Sequence, residues 1–451
     1  MRPSHPRSEH WLESCRRYMM NTLSVAADKR DDAIVDGRPV REWITTENVH
    51  PDFTLENHGI VYPVYMWASM VNLAQSAGYF IQAGAEPPRA AFHHVRDVYE
   101  VYKQLQGWEG LPAYINGSDK FLHLQVVDIL VHSFFAQVLG DAEAAHLEEV
   151  ELDILERMQA RFADGRLYPE QEVGPWSRVN NLSIVLGNSY LLHYLLQNPV
   201  QPVSRDVFEA RIRGVRVYPD GKFVLHRTPD SLVSFAWSKP HRIMGLAVPR
   251  EGNWLVTPNP RGFVGTLLEE GSKDEGPMRI NSLDVQTGTD EFTVKMVVER
   301  CAGKVEHAWM FASRPGGVVI MSETLTAKLP VTLTQADTGT MGIGRELDRE
   351  TITLLAARSR SETVGPMIDG DDVLLPFPEN HLLVDKRFIY AWKGTGSVAY
   401  LKHNRPTRVS GAPGGYGHLE DLLFVRHLAK PTRFAGGEII ASGRLEVDLT
   451  P

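Results

Sequence analysis

Cysteine is nearly absent from this chain of 451 residues: Cys15 and Cys301 are the only two, far apart and in no ligand-like spacing. That excludes a disulfide framework and a Cys-type zinc module. Long apolar runs are missing as well, so no segment reads as a membrane span, and the first twenty residues lack the apolar core of a signal peptide. A cytoplasmic location is the expectation, with secretion or the periplasm expected if the natural start lies upstream. Basic residues are in deficit, with 47 Lys and Arg against 56 Asp and Glu and a net charge of −9. Nucleic acid is therefore not an expected partner, because phosphate neutralisation needs clustered cations. Dinucleotide and phosphate fingerprints are absent, as is any HExxH-type spacing, so neither a cofactor nor a metal is expected. His93, His94, His123, His132 and His193 fall in helical stretches and read as core or surface residues.

What is present divides into two periods. Residues 11–29, 61–84, 88–106, 120–140, 141–165 and 180–197 carry apolar side chains at three- and four-residue intervals, which predicts about six helices. Pro63 suits the first turn of the second, and Gly84 ends it. After a Pro-containing break at 198–206 the pattern changes, and from Phe208 onward short segments rich in β-branched and aromatic residues alternate with turn dipeptides such as Asp220-Gly221. Strands not interleaved with helices exclude a doubly wound parallel sheet. The expected layout is a helical domain over 1–200 and a large antiparallel β-sandwich over 207–451.

The densest polar segment is Thr54-Leu55-Glu56-Asn57-His58-Gly59-Ile60-Val61-Tyr62-Pro63-Val64-Tyr65. An amide, an imidazole and two phenols in one stretch suit gripping a carboxylate and moving a proton. The plainer alternative makes Asn57 a helix cap and Gly59 a turn residue. A second loop carries Tyr114, Asn116 and Asp119, and a third carries Trp176, Arg178, Asn180 and Asn181, where an aromatic platform and a guanidinium can meet a sugar and its carboxylate. In the β half, His226-Arg227 and His241-Arg242 are further candidates, each with an exposed strand pair as the plain reading.

The Asn-His-Gly segment, the downstream Tyr114 loop and the helical-then-β layout together resemble the heparinase II/III and alginate-lyase-like polysaccharide lyases. The resemblance implies an α+β multidomain chain, with an incomplete N-terminal (α/α) toroid followed by the sandwich, since such toroids carry ten or more helices. It implies that Asn57, His58, Tyr114 and one of His226 or His241 are catalytic. Glu56, Tyr62, Tyr65, Asn116, Trp176, Arg178, Asn181 and Arg227 would then hold substrate, an acidic polysaccharide cleaved by β-elimination at a 4-linked uronate. Two other readings compete. Toroids also host inverting glycoside hydrolases, for which Glu56 and Asp119 would be the carboxyl pair. A non-catalytic carbohydrate-binding relative is the second. Oligomeric state is not encoded in any of these segments.

Overall fold

The computed structural model describes residues 5–108, 110, 112–118, 128–167, 178–238, 242–250, 255–345, 351–356, 361–366, 370–404, 407–408, 417–418 and 420–451. The chain divides into two compact units. The first comprises Met1–Ala113, Leu124–Ile212 and Tyr218–Gly221; the second comprises Tyr114–His123, Arg213–Val217 and Lys222–Pro451.

The first unit is helical. Its helices are α1 (Ser8–Thr22), α2 (Val40–Trp43), α3 (Pro63–Gln82), α4 (Val95–Gln104), α5 (Ile129–Leu139), α6 (Ala142–Ala160), α7 (Arg178–Leu196) and α8 (Arg205–Ile212). Pro63 occupies the first turn of α3, where its missing N–H costs nothing, and Gly84 just beyond the helix takes φ 67°, which a glycine adopts freely. Helix α5 is mainly apolar, is buried on every side over Ile129–Gln137, and packs against α3, α6 and α7. Asp141 caps α6 by accepting from the backbone N–H groups of Glu143 and Ala144. Buried Lys103 of α4 is met there by Asp141 at 3.1 Å and Glu143 at 2.7 Å, and by Glu100 at 2.6 Å, so its charge is fully paired. Strands expected from Phe208 begin instead at Gly214. Asp206 in the first turn and the buried pair Phe208 and Ile212, four residues apart, make 205–212 a helix. Among the described residues, no helix is long and apolar enough to cross a membrane.

The second unit is built of antiparallel sheets. A nine-stranded sheet runs Arg279–Thr287, Phe292–Arg300, Val305–Arg314, Val318–Ala327, Ile439–Asp448, Phe388–Gly394, His381–Val384, Ile352–Ala356 and Ser361–Val364 in spatial order. A seven-stranded sheet is centred on Val331–Gly344. Burial alternates strictly along Val318–Ala327, the mark of a strand with one face in a core. Leu267, Leu333 and Ala336 of the seven-stranded sheet share a cluster with Val305, Leu325 and Ala441 of the nine-stranded one, so the two pack face to face as a sandwich. A four-stranded sheet (Gly214–Tyr218, Phe223–Arg227, Ser231–Ala236, Met244–Pro249) lies against the nine-stranded sheet through Phe235, whose ring is 5.1 Å from that of Phe311. A Cβ on Gly245 would come within 2.6 Å of Phe311, which is why this close approach takes a glycine.

Charges are also sealed inside this unit. Arg300, fully buried, donates to Glu275 and to the carbonyls of Val264 and Gly265. Glu323 receives His307 at 2.8 Å and lies beside Thr338 and His427. Burial alone would raise the Glu323 carboxyl, but hydrogen bonds from His307 and His427 override it and hold it at about 2.

Candidate functional site

The Asn-His-Gly segment folds as a miniature hairpin. Glu56–Asn57 pairs antiparallel with Ile60–Val61, leaving His58 and Gly59 as its two turn residues. Their φ angles are 54° and 78°, both left-handed, as a two-residue type I′ turn demands. Gly59 adopts that conformation without strain, and His58 is held in it by the pairing on either side. Ile60 and Val61 are buried, so the hairpin is anchored by its second strand while His58 at the tip is exposed. Asn57 is not the cap of α3: that position is Tyr62, and the pairing of Asn57 with Ile60 commits its backbone to the hairpin.

Entry into α3 brings two phenols to the same place. Tyr62 is fully buried, and Tyr65, one turn into the helix, is half-buried. The Tyr65 ring stands edge-on to His58 with centroids 5.3 Å apart, and 5.4 Å from Tyr62. Glu56 is exposed beside the hairpin, its carboxylate 3.8 Å from His50 Nε2. The structure thus gathers Glu56, Asn57, His58, Tyr62 and Tyr65 into one patch of the helical unit. An accessible imidazole, an amide and a phenol are the parts needed for proton transfer beside a carboxylate.

The remaining expected residues are not part of this hairpin. Tyr114 and Asn116 belong to the β unit and are buried, at 1% and 0% exposure. They sit in a turn closed by the Gly117 N–H donating to the Tyr114 carbonyl at 2.9 Å, and a Cβ on Gly117 would come within 3.3 Å of the Pro258 carbonyl. His226 is sealed at 0% exposure, its Nδ1 2.8 Å from Ser313 Oγ and its Nε2 3.0 Å from Asp290 Oδ1. Neither the exposed strand pair nor an open cleft describes it; it is a satisfied core histidine of the β unit. Arg227 is buried beside it in sequence. Trp176, Asp119 and His241 lie outside the described residues, and of Arg178 and Asn181 only the backbone in α7 is described.

Three polar groupings in the helical unit had no counterpart in the sequence reading. His93 and His94 are not inside a helix: His93 follows a 3-10 turn (Arg89–Phe92) and His94 is the N-cap of α4, and both reach Asp28. Sixty-odd residues separate them from that aspartate, so no spacing rule could have linked them. Asp128, His132 and Glu151 form a buried group on α5 and α6, where burial and the adjoining Asp128 raise the Glu151 carboxyl well above its ordinary value. Glu148 of α6 pairs with His193 of α7 at 2.7 Å in a cavity of about 380 Å³. The sequence signal for the last two was a histidine, His132 or His193, among the mainly apolar residues of its helix.

No family model matches the sequence, and no curated protein matches it. Solved structures do match. The chain is similar to the chondroitin AC lyase of Streptomyces coelicolor in complex with chondroitin sulphate, at 11% identity and a TM-score of 0.53, over 99% of this chain and 58% of that one. A mutant of the same enzyme matches with a TM-score of 0.51 at 11% identity, over 98% and 57% of the two chains. The heparan sulfate lyase of Pedobacter heparinus gives a TM-score of 0.46 at 8% identity, covering 98% and 57%. This chain therefore spans less than two thirds of the length of the lyases it matches. At such identity the likeness speaks for the fold alone: a helical unit followed by antiparallel sheets, the architecture this chain shares with the chondroitin AC lyase.

Proposed function

We propose that the chain is a polysaccharide lyase acting on a 4-linked uronate polymer by β-elimination, with the Asn57–His58 hairpin as its proton-transfer element. The observation that carries this reading is an exposed imidazole, held by a two-residue turn beside an amide and a phenol, in a chain that shares a lyase fold over 99% of its length.

The chemical obstacle is the weak acidity of the hydrogen at C5. Asn57 donates its amide N–H to the uronate carboxylate, so the charge that develops in the enolate-like state meets a donor already in place. His58 takes the C5 proton. The electron pair of that C–H bond becomes the C4–C5 double bond, the C4–O4 bond breaks, and its pair leaves with O4. A phenol returns a proton to O4 and is recharged from the imidazolium, which balances the cycle. Tyr65 is the phenol packed against His58; Tyr114, which the family resemblance favours, is buried.

The test is a panel of acidic polysaccharides followed by the ultraviolet absorbance of the unsaturated product, with His58→Ala, Tyr65→Phe and Tyr114→Phe beside the native chain. Product from the native chain, loss in His58→Ala and loss in one of the two tyrosine variants are expected. No product from any polymer sinks the reading. The burial of Tyr114, Asn116, His226 and Arg227 favours a second reading, a non-catalytic glycan-binding relative. Glycan binding without product, unchanged by His58→Ala, would establish it.

A further inference from the structure

We propose that Asp28, His93 and His94 form a binding site for one divalent transition-metal ion of the zinc type, with Asp97 as its positioning residue. Asp28 lies in a 3-10 turn (Ala26–Arg30), is 3% exposed, and is held by the backbone N–H of Val25 donating to Oδ2 at 2.8 Å. Two imidazoles converge on its carboxylate: His93 Nε2 is 3.1 Å from Oδ2 and His94 Nε2 is 2.9 Å from Oδ1. The three donor atoms lie within 4.8 Å of one another. Metal–ligand bonds of about 2.0–2.1 Å give tetrahedral edges of about 3.3 Å, close to the two nitrogen–carboxylate distances, and the three donors draw together around the ion as it binds.

The partners of His94 are compatible with an ion at its Nε2. His94 presents Nδ1 to Asp97 Oδ2 at 2.9 Å and Nε2 to Asp28, so both ring nitrogens face carboxylates. An imidazolium would donate to both carboxylates; a neutral imidazole donates Nδ1–H to Asp97 and leaves the Nε2 lone pair for a metal ion that takes the place of the proton beside Asp28. The His93 ring lies 4.1 Å from that of His94, so the two imidazoles stand side by side over one carboxylate. One dication satisfies both imidazoles and the carboxylate together. The Nδ1–H of His94 donating to Asp97 then fixes the tautomer that turns Nε2 inward, the outer-sphere arrangement common to metal-bound histidines.

The backbone at His94 is also distinctive. His94 has φ 54° and ψ 6°, a left-handed conformation costing a non-glycine residue on the order of 1–3 kcal/mol and concentrated at ligand sites. The His94 side chain keeps 20% exposure against 9% for His93 and 4% for Asp28, which leaves a solvent-facing side for a bound water and for entry of the ion.

The test uses the full chain after chelator treatment and dialysis, titrated with Zn²⁺ by calorimetry and with Co²⁺ by visible absorption. One equivalent of Zn²⁺, a rise in melting temperature and the intense bands of tetrahedral Co²⁺ are expected. Asp97→Asn should weaken Zn²⁺ about 10- to 100-fold, and the double variant His93→Ala/His94→Ala should abolish the specific equivalent. Zn²⁺ binding unchanged in the double variant, or no saturable Zn²⁺ binding by the native chain, overturns the proposal. If the double variant does not fold, Asp97→Asn and the Co²⁺ spectrum decide: unchanged affinity, or only the weak bands of hydrated Co²⁺, count against the site. None of these readouts depends on lyase turnover.

Discussion

His58 and His226 stand in short polar motifs of similar appearance, and their surroundings give them opposite fates. Around His58 the chain turns in two residues, and Ile60 and Val61 fasten the return strand, so the imidazole is left outside. Around His226 every position of Phe223–Arg227 is buried, and the ring is satisfied by Ser313 and Asp290. A histidine becomes available for chemistry through the backbone that presents it, and becomes structural when neighbouring strands supply both its partners. The same contrast extends to the charges: those of the hairpin patch stay exposed, while Glu275, Arg300, His307 and Glu323 are sealed and mutually paired.

The sharpest way to widen this contrast is to break the sealed side. Glu323→Leu leaves the groups that face its carboxylate without it, and should cost about 3–5 kcal/mol, read as a fall in urea midpoint. His226→Ala should cost about 2–3 kcal/mol, from the cavity and an orphaned Ser313 hydroxyl. On the open side, Gly59→Ala puts a Cβ on a residue at φ 78° and should cost about 1 kcal/mol, with lost turnover outweighing lost stability.

Acid should separate the two regions further. With the Glu323 carboxyl at about 2, against its ordinary 4.5, its stabilising contribution is complete above about 4.5 and is lost as pH falls toward 2. His307, lowered chiefly by burial from its ordinary 6.5, is favoured neutral in the fold, so acidification below 6.5 acts in the same direction. Urea midpoints should therefore fall from pH 7 to pH 3, and Glu323→Gln should flatten that dependence. The smallest effect concerns Cys301, which burial pushes up to about 12. Its alkylation should track global unfolding.

The two periods were legible because apolar spacing reports which face is buried, and Pro63 and Gly84 bracket α3 where their backbone preferences require. The short hairpin at Asn57 and His58 was legible only as a polar loop, since two-residue strands carry no period. The end of the helical unit was misplaced because 205–212 is brief and follows two prolines. Buried polar groups were the least legible: His307 and Glu323 alternate with apolar residues in register, yet nothing local shows that they meet. Asp28 and the His93-His94 pair are brought together by folding alone.

The most direct measurement compares His58→Ala and His226→Ala for formation of unsaturated product, with turnover expressed per folded molecule and stability measured alongside. His58→Ala should keep its urea midpoint and lose turnover by about 10²–10⁴, while His226→Ala should lose stability and keep the turnover of its folded fraction. A His58→Ala chain that turns over normally, or a folded His226→Ala chain that is inactive, would contradict the assignment of proton transfer to the hairpin.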